Sequence, residues 1–153
     1  MQLNRERQLP ASLQDAWTAL NDVTVLQTCI PGCEALTPAA EGEFDLLIVA
    51  AVGPVKAKFK GKLRLTDLTP PERYTIHFEG QGGVAGHAKG SAHVELQPCG
   101  DNETTLKYSA HAIVGGKVAQ VGARLVDMAA QKLANDFFAA LEQHLRGGVA
   151  AIS

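Results

Sequence analysis

Histidines are the residues in this sequence that could most directly supply acid–base or metal chemistry. Three of them, His77, His93 and His111, fall on predicted strands, at positions that alternate with apolar residues. Side chains that alternate with a buried set point to the opposite face of a strand. A zinc-type site needs a complete ligand set, and no carboxylate or cysteine group completes one in the sequence. The pattern therefore favours solvated surface histidines over a metal site.

Sequence motifs for nucleophilic catalysis or phosphate binding are missing from the chain. It has no Gly-x-Ser-x-Gly elbow, no His-Glu-x-x-His helix and no phosphate-binding loop. The glycines at 80–83 stand between strands and in the wrong order for a dinucleotide fingerprint. Cys29, Cys33 and Cys99 are interpreted as structural thiols in a reducing compartment. We therefore expect no catalytic residue, metal or cofactor, and we favour a binding protein over an enzyme.

The clearest local pattern is a row of basic residues, called here the basic row. It consists of five positions that alternate with apolar or small residues over 55–65: Lys56, Lys58, Lys60, Lys62 and Arg64. In a strand, this alternation gives one apolar face and one positive face. Like charges about 6–7 Å apart repel one another, which is tolerable if an anionic membrane or an acidic protein lies against them. An ordinary solvated strand face is the alternative.

Composition limits the chain to one globular domain of ordinary charge. It has 153 residues, 46% of them hydrophobic and 20% charged, with a net charge of −2. This balance supports a real core and argues against general nucleic-acid binding, which needs a basic excess. We see neither a secretory signal nor an apolar run long enough to span a membrane. We therefore expect a cytoplasmic protein.

Hydrophobic periodicity predicts an α+β domain over residues 1–146. Apolar residues at helical spacing predict a long helix over 116–145, preceded far upstream by short helices over 12–20 and 23–28. Gly147-Gly148 is a typical helix stop, so a short flexible tail is expected over 147–153. The remaining apolar residues alternate with period two. Strands are expected over 3–9, 44–52, 55–65, 73–79, 87–97 and 104–114.

The predicted strands form a curved antiparallel sheet of about seven strands, and the long helix lies against one face of it. Many residues on that face are small, which leaves room for an apolar pocket. Close helix–sheet contact without a void is the alternative, and composition does not decide between them. Large inward side chains would line the pocket: Leu46, Ile48, Phe59, Phe78, Tyr108, Val121, Leu125 and Met128.

Two glycine-containing segments are expected to control entry to this pocket. The glycine-rich stretch 80–86 is interpreted as an irregular mobile loop centred on Gly82 and Gly83. Pro31 and Gly32 form a stiffer turn that would face it. We predict that these two segments act as the gate.

Several motifs together resemble the CoxG family of carbon monoxide dehydrogenase proteins. They are the Cys-Ile-Pro-Gly-Cys-Glu segment within 23–34, the stretches 53–61, 85–92 and 114–125, and the Phe137-Phe138 pair. The resemblance extends over positions 3–145. It implies the helix-grip fold of the START and Bet v 1-like superfamily, with a cavity beneath the terminal helix.

The same resemblance implies a function. Such a protein would bind a lipid or isoprenoid quinone and assist a molybdenum hydroxylase of the carbon monoxide dehydrogenase type, by membrane recruitment, electron-acceptor delivery or maturation. A cyclase or hydrolase that uses the same cavity, and a purely structural assembly factor, are the alternatives. Several family members continue into a hydrophobic anchor, whereas this sequence ends at Ser153. We therefore expect any membrane contact to be peripheral.

Overall fold

A computed structural model describes residues 1–152, with side chains described as far as residue 147. The helices α1–α4 and strands β1–β7 alternate as the α+β pattern predicts, with one short 3₁₀ turn at Gly83–Ala85. In chain order, the elements are β1 (Gln2–Leu9), α1 (Leu13–Leu20), α2 (Val23–Cys29), β2 (Cys33–Pro38), β3 (Glu43–Val52), β4 (Val55–Thr69), β5 (Arg73–Gln81), β6 (His87–Pro98), β7 (Thr104–Gly115), α3 (Lys117–Gln120) and α4 (Ala123–Ile152).

The seven strands form one antiparallel sheet in the order β1-β7-β6-β5-β4-β3-β2. Neighbours along the chain pair by hairpins from β2 to β7, and β1 joins the far edge beside β7. This arrangement confirms the predicted fold class. β2 is the strand that the periodicity did not separate, because it has only six residues and its pairing with β3 shifts between Cys33 and Ala35.

Local side-chain bonds determine where the two short helices begin. The Ser12 hydroxyl accepts a hydrogen bond from the Asp15 N–H at 3.2 Å and caps α1. The Asp22 carboxylate does the same for α2, accepting from the N–H groups of Thr24 and Val25. Such caps satisfy backbone donors that have no partner within the helix. The predicted starts of both helices are thus confirmed to within a residue.

The closely packed core lies at one end of the helix–sheet interface. There α1 and α2 meet the far ends of β5–β7 and the C-terminal half of α4. Trp17 packs edge to face on Tyr74, with ring centres 5.3 Å apart. The buried Thr104 donates its hydroxyl to the Ala11 carbonyl at 2.8 Å. Leu9, Leu106 and Leu141 are at most 1% exposed.

The long helix differs from its prediction at both ends. One continuous helix over 116–145 is wrong, because Gly122 adopts a φ of +100° and separates α3 from α4. A right-handed helix cannot continue through that backbone conformation. The predicted stop is also wrong, since α4 continues through Gly147-Gly148 to Ile152. A glycine costs only about 1 kcal/mol in a helix interior. Flexibility of the tail stays a prediction, and Ser153 lies outside the described residues.

Candidate functional site

The inner face of the sheet is the face toward α4, and strand alternation decides which side chains lie on it. Along β4 the apolar positions are partly buried while the basic row is exposed, residue by residue. Phe59 is among the partly buried positions, and its ring lies beside Gly82. The predicted strand phase, on which both the pocket and the basic row depend, is therefore confirmed.

Small residues form the floor of this inner face in the middle of β5, β6 and β7. Phe78 lies opposite Gly90, which in turn lies opposite Ala112. A side chain could not be added at Gly90, because its Cβ would collide with the His111 backbone and the Phe78 ring. The rows on either side contribute further small residues to the floor: Gly80, Ala88, Ala92 and Ala110.

Helix α4 also presents small residues toward this floor. Ala130 and Ala134 precede the buried Leu141 and Phe138 at helical spacing, so they share the same side of the helix. Both alanines are only partly buried, whereas Leu141 is fully buried. The helix and the sheet therefore face one another here with little side-chain volume between them.

Burial changes along single strands as the inner face passes from the core to this region. In β6, Val94 and Leu96 are 6% and 3% exposed, whereas Ala88 and Ala92 are only partly buried. Partial exposure of inward apolar residues means that α4 does not seal this half of the interface. We call it the inner apolar surface. It comprises the small floor together with Leu46, Ile48, Phe59 and Phe78.

The structure brings most of the predicted pocket residues to this surface. Ile48 lies directly opposite Phe59 on the neighbouring strand. Leu46 and Phe78 occupy the next inner rows of the sheet. Tyr108 lies nearer the core and stacks on Phe138, with ring centres 5.2 Å apart. Their role as the lining of a bound ligand stays a prediction.

The three predicted helix-side residues occupy different positions. Leu125 approaches the β3–β4 turn, where its Cδ1 would lie 2.9 Å from a Cβ built on Gly53, and Val121 contacts the same turn. Met128 is 56% exposed. Residues two apart point to different sides of an α-helix, so Met128 does not share the side of the partly buried Ala130. Met128 is thus peripheral to the inner apolar surface.

The glycine-rich segment is more ordered than predicted. An irregular loop over 80–86 is wrong, because β5 extends to Gln81 and a 3₁₀ turn follows over Gly83–Ala85. The Gly82 N–H donates to the Gly86 carbonyl at 2.8 Å, and Ala85 is buried. At the tip, Gly83 has a φ of +60° and open space around it. A gating role of Gly82 and Gly83 stays a prediction.

The second predicted gate segment is a turn anchored to β3. Gly32 has a φ of +73°, and its carbonyl accepts a hydrogen bond from the Val49 N–H at 2.9 Å. A Cβ at Gly32 would collide with the Val49 carbonyl, so a side chain is excluded there. The stiffness expected of the Pro31-Gly32 turn has this physical basis, and its role in entry stays a prediction.

Two arginines of β1 are inward residues that sequence reasoning missed. Leu3 and Leu9 are 6% and 0% exposed, and Arg5 and Arg7 share their strand phase. The Arg7 guanidinium carbon lies 5.3 Å from the centre of the Phe138 ring. Burial raises the pKa of Tyr108, an effect that the positive charges of Arg5 and Arg7 partly oppose. The two buried leucines at odd positions were the sequence signal that could have revealed this phase.

The basic row faces solvent as predicted, but acidic side chains of neighbouring strands lie beside it. Lys58 forms an ion pair with Glu34, with N and O atoms 3.0 Å apart. The other acids lie directly across from Lys62 or Arg64 in the sheet register: Asp45, Glu79 and Glu43. Five cations and these four acids leave about one net positive charge. The expectation of an uncompensated positive strip, made along one strand, is therefore wrong across the sheet.

A shallow depression of about 410 Å³ lies across part of the basic row, bordered by Leu47, Lys60 and Lys62. The outer-face histidines lie nearby on β5–β7 and bond to hydroxyl groups. His77 pairs with Thr66 at 3.1 Å, and His93 with Thr75 at 3.2 Å. Within residues 1–147, no cluster of metal-ligating side chains is found. These histidines are thus engaged with neighbouring strands on the outer face.

The cysteines are free thiols in three different environments. Cys29 is buried and Cys33 partly buried, and burial raises the pKa of both thiols. A raised thiol pKa disfavours the nucleophilic thiolate. This environment fits the structural interpretation of Cys29 and Cys33.

No helix among the described residues combines the length and apolar character that a membrane crossing requires. The described site thus consists of an incompletely covered apolar surface, two inward arginines at its core end and a mixed-charge outer face.

Solved structures share this architecture. A conserved protein from Geobacillus kaustophilus is 30% identical, with a TM-score of 0.91 over 96% of each chain. A START superfamily protein from Mycobacterium smegmatis is 14% identical, with a TM-score of 0.71 over 95% of this chain and 97% of that one. The Zhui aromatase/cyclase from a Streptomyces species is 12% identical, with a TM-score of 0.70 over 97% and 95%. The two distant neighbours show the fold alone.

Among curated proteins, no sequence matches this chain. A sequence model of one family does match, over residues 6–146, which covers the described domain from β1 almost to the end of the described side chains. The motifs at 23–34 and 114–125 fall at the anchored turn and at the break before α4. The chain belongs to the CoxG family of carbon monoxide dehydrogenase proteins.

Proposed function

We propose that this protein binds a hydrophobic small molecule, a lipid or isoprenoid quinone, between the sheet and α4. The observation that supports this function is the inner apolar surface, whose inward residues are only partly buried although the same strands are fully buried a few residues away. Apolar surface removed from water contributes about 2.5 kcal/mol per 100 Å². A long apolar ligand would gain most of its affinity from covering this surface.

The walls of the surface suit a flat or chain-like ligand. Small residues on both sheet and helix leave space between them, and the rings of Phe59 and Phe78 supply wide apolar contacts. The β3–β4 turn at Gly53 approaches Leu125, and Gly86 approaches Val118. We propose that the ligand enters at this end, between the 3₁₀ turn and the Pro31-Gly32 turn.

Ligand retention by the purified protein tests this function. We expect native mass spectrometry and solvent extraction to recover a lipid-sized hydrophobic molecule from the wild-type chain. Substitution of Ala134, which is partly buried over the floor, by leucine should reduce retention. The matched control is Ala139→Leu at an exposed position of the same helix. Equal retention by both variants would contradict the proposed location.

We also propose that the protein acts as an accessory to a molybdenum hydroxylase of the carbon monoxide dehydrogenase type. Its family membership supports this role. Delivery of an electron acceptor, recruitment to the cytoplasmic membrane, or maturation would each use a carrier of hydrophobic molecules. Co-expression with such a hydroxylase, followed by affinity purification and enzyme assay, tests the partnership. An enzyme with the same yield, membrane fraction and quinone-linked activity without the accessory protein would contradict it.

Membrane contact in this proposal is peripheral and mainly non-electrostatic. A basic residue at an anionic membrane surface contributes about 1 kcal/mol, and the acids beside the basic row leave about one net charge there. A mixed-charge face of this kind suits a protein partner better than a lipid surface. We therefore assign the basic row to protein docking first and to membrane contact second.

A further inference from the structure

A positive corner borders the inner apolar surface at its core end. Arg5 lies directly opposite Tyr108 in the sheet, and Leu3, two residues before Arg5, lies opposite Ala110 of the small floor. Arg7 lies over Phe138, the residue of α4 on which Tyr108 stacks. Two guanidinium groups and one phenol thus meet where the apolar floor ends.

These inward cations lack acidic partners within the described part of the chain. Among residues 1–147, no carboxylate lies within ion-pair distance of Arg5 or Arg7. The Arg7 Nε atom is buried and has no hydrogen-bond partner among those residues, and Arg5 donates there only to the backbone carbonyl of neighbouring Asn4. Buried donors are nearly always satisfied in folded proteins. The corner therefore has unused capacity to donate hydrogen bonds.

The basic row on the outer face gives a contrast within the same sheet. Its cations have acids beside them, such as Glu34 with Lys58, so the protein compensates positive charge where solvent already screens it. On the inner face, where burial makes an uncompensated charge more costly, the described residues supply no acid to the two arginines. An oxyanion from a ligand would complete the arrangement, because a guanidinium donates paired hydrogen bonds to carboxylate or phosphate.

We propose that Arg5, Arg7 and Tyr108 bind the carboxylate or phosphate head of an amphipathic ligand whose apolar body lies on the inner apolar surface. This inference rests on the proposed ligand-binding function and narrows it to acidic amphiphiles. The head lies at the core end, and the apolar body extends along the floor toward the 3₁₀ turn. Specificity then comes from the corner, whereas affinity for the body comes from the floor.

Fluorescence titration with cis-parinaric acid and with its methyl ester tests the head site in the full chain. We expect the wild type to prefer the acid by about tenfold, the lower end of what a charge-assisted hydrogen bond contributes. Arg5→Gln and Arg7→Met should each reduce this preference toward parity. Methionine retains an apolar stem against Phe138. The matched control is Arg64→Gln on the outer face, which should preserve the preference.

Competition experiments distinguish the two sources of an oxyanion. Displacement of the probe by a long-chain fatty acid identifies a carboxylate ligand, and displacement by the alkyl phosphate of the same chain length identifies a phosphate ligand. Either result supports the corner, whereas equal displacement by the neutral alcohol contradicts it.

The outcomes separate the head site from the proposed function. If acid and ester bind equally to the wild type, the corner is wrong while the apolar site stands. If neither probe binds, the proposed function itself fails. Thermal unfolding checks that Arg7→Met folds, and the exposed Arg5→Gln decides the question if it does not.

Discussion

Replacement of Ala134 by leucine tests whether the space beneath α4 is real. Ala134 is partly buried and lies one helical turn before the buried Phe138. Leucine adds three carbon atoms to alanine, and a buried methylene contributes about 0.8 kcal/mol. If free space accepts the side chain, we expect the free energy of unfolding to stay unchanged or rise by up to about 2 kcal/mol.

A filled interface would respond in the opposite direction. Extra methylenes in a well-packed core cost about 1–3 kcal/mol through forced rotamers and backbone shifts. For a chain of this size, each kcal/mol changes the melting temperature by about 2–4 °C. The open and filled interfaces therefore predict changes of opposite sign, separated by an amount that thermal and urea unfolding both resolve.

The measurement compares Ala134→Leu with Ala139→Leu in the ligand-extracted protein. Ala139 is exposed on the same helix, so the difference in helix propensity between alanine and leucine cancels. A loss of more than about 1 kcal/mol relative to this control would show close packing and refute the open inner surface. Equal stability, together with lost ligand retention, is the expected result.

Three further predictions follow from the site. Phe59→Ala should lower ligand retention and cost less than the roughly 3–5 kcal/mol of a fully buried phenylalanine, because Phe59 is only partly buried; denaturant unfolding measures the cost, and a larger loss would place the ring in the core. Amide exchange at Gly82 should be faster than in the central strands if the 3₁₀ turn opens as a gate, and equal protection would argue against it. Reversal of Lys58, Lys60 and Lys62 to glutamate should abolish a weak, salt-sensitive binding to anionic vesicles; binding that survives would exclude the basic row. The control reverses three lysines outside the row: Lys107, Lys117 and Lys132.

The sequence by itself determined the order of elements, the strand phase and the family. Alternation of lysines with apolar residues in β4 is a local property, because side chains of a strand alternate faces whatever its neighbours are. Ser12 and Asp22 likewise mark helix starts through bonds to residues only two or three positions away. These features could be predicted because the atoms that decide them lie close together in the chain.

Other features depended on pairing between distant segments. Glu79 lies beside Lys62 only because β5 pairs with β4 in one particular register, and this removes most of the charge that the isolated strand seemed to carry. Arg5 reaches the inner face at the core end because β1 crosses to the far edge and pairs with β7. The break at Gly122 depends on backbone geometry, since a glycine inside an apolar stripe also fits a continuous helix.

Tertiary structure also decided where the interior is full and where it is open. Composition supplied small inward residues, which fit a tight helix–sheet contact and a cavity equally well. The answer came from how far α4 covers each row: Val94 and Leu96 are sealed, whereas Ala88 and Ala92 on the same strand are only partly covered. Coverage depends on the path of a helix across a curved sheet, and that path is set by contacts from the whole domain, beyond the reach of any local pattern.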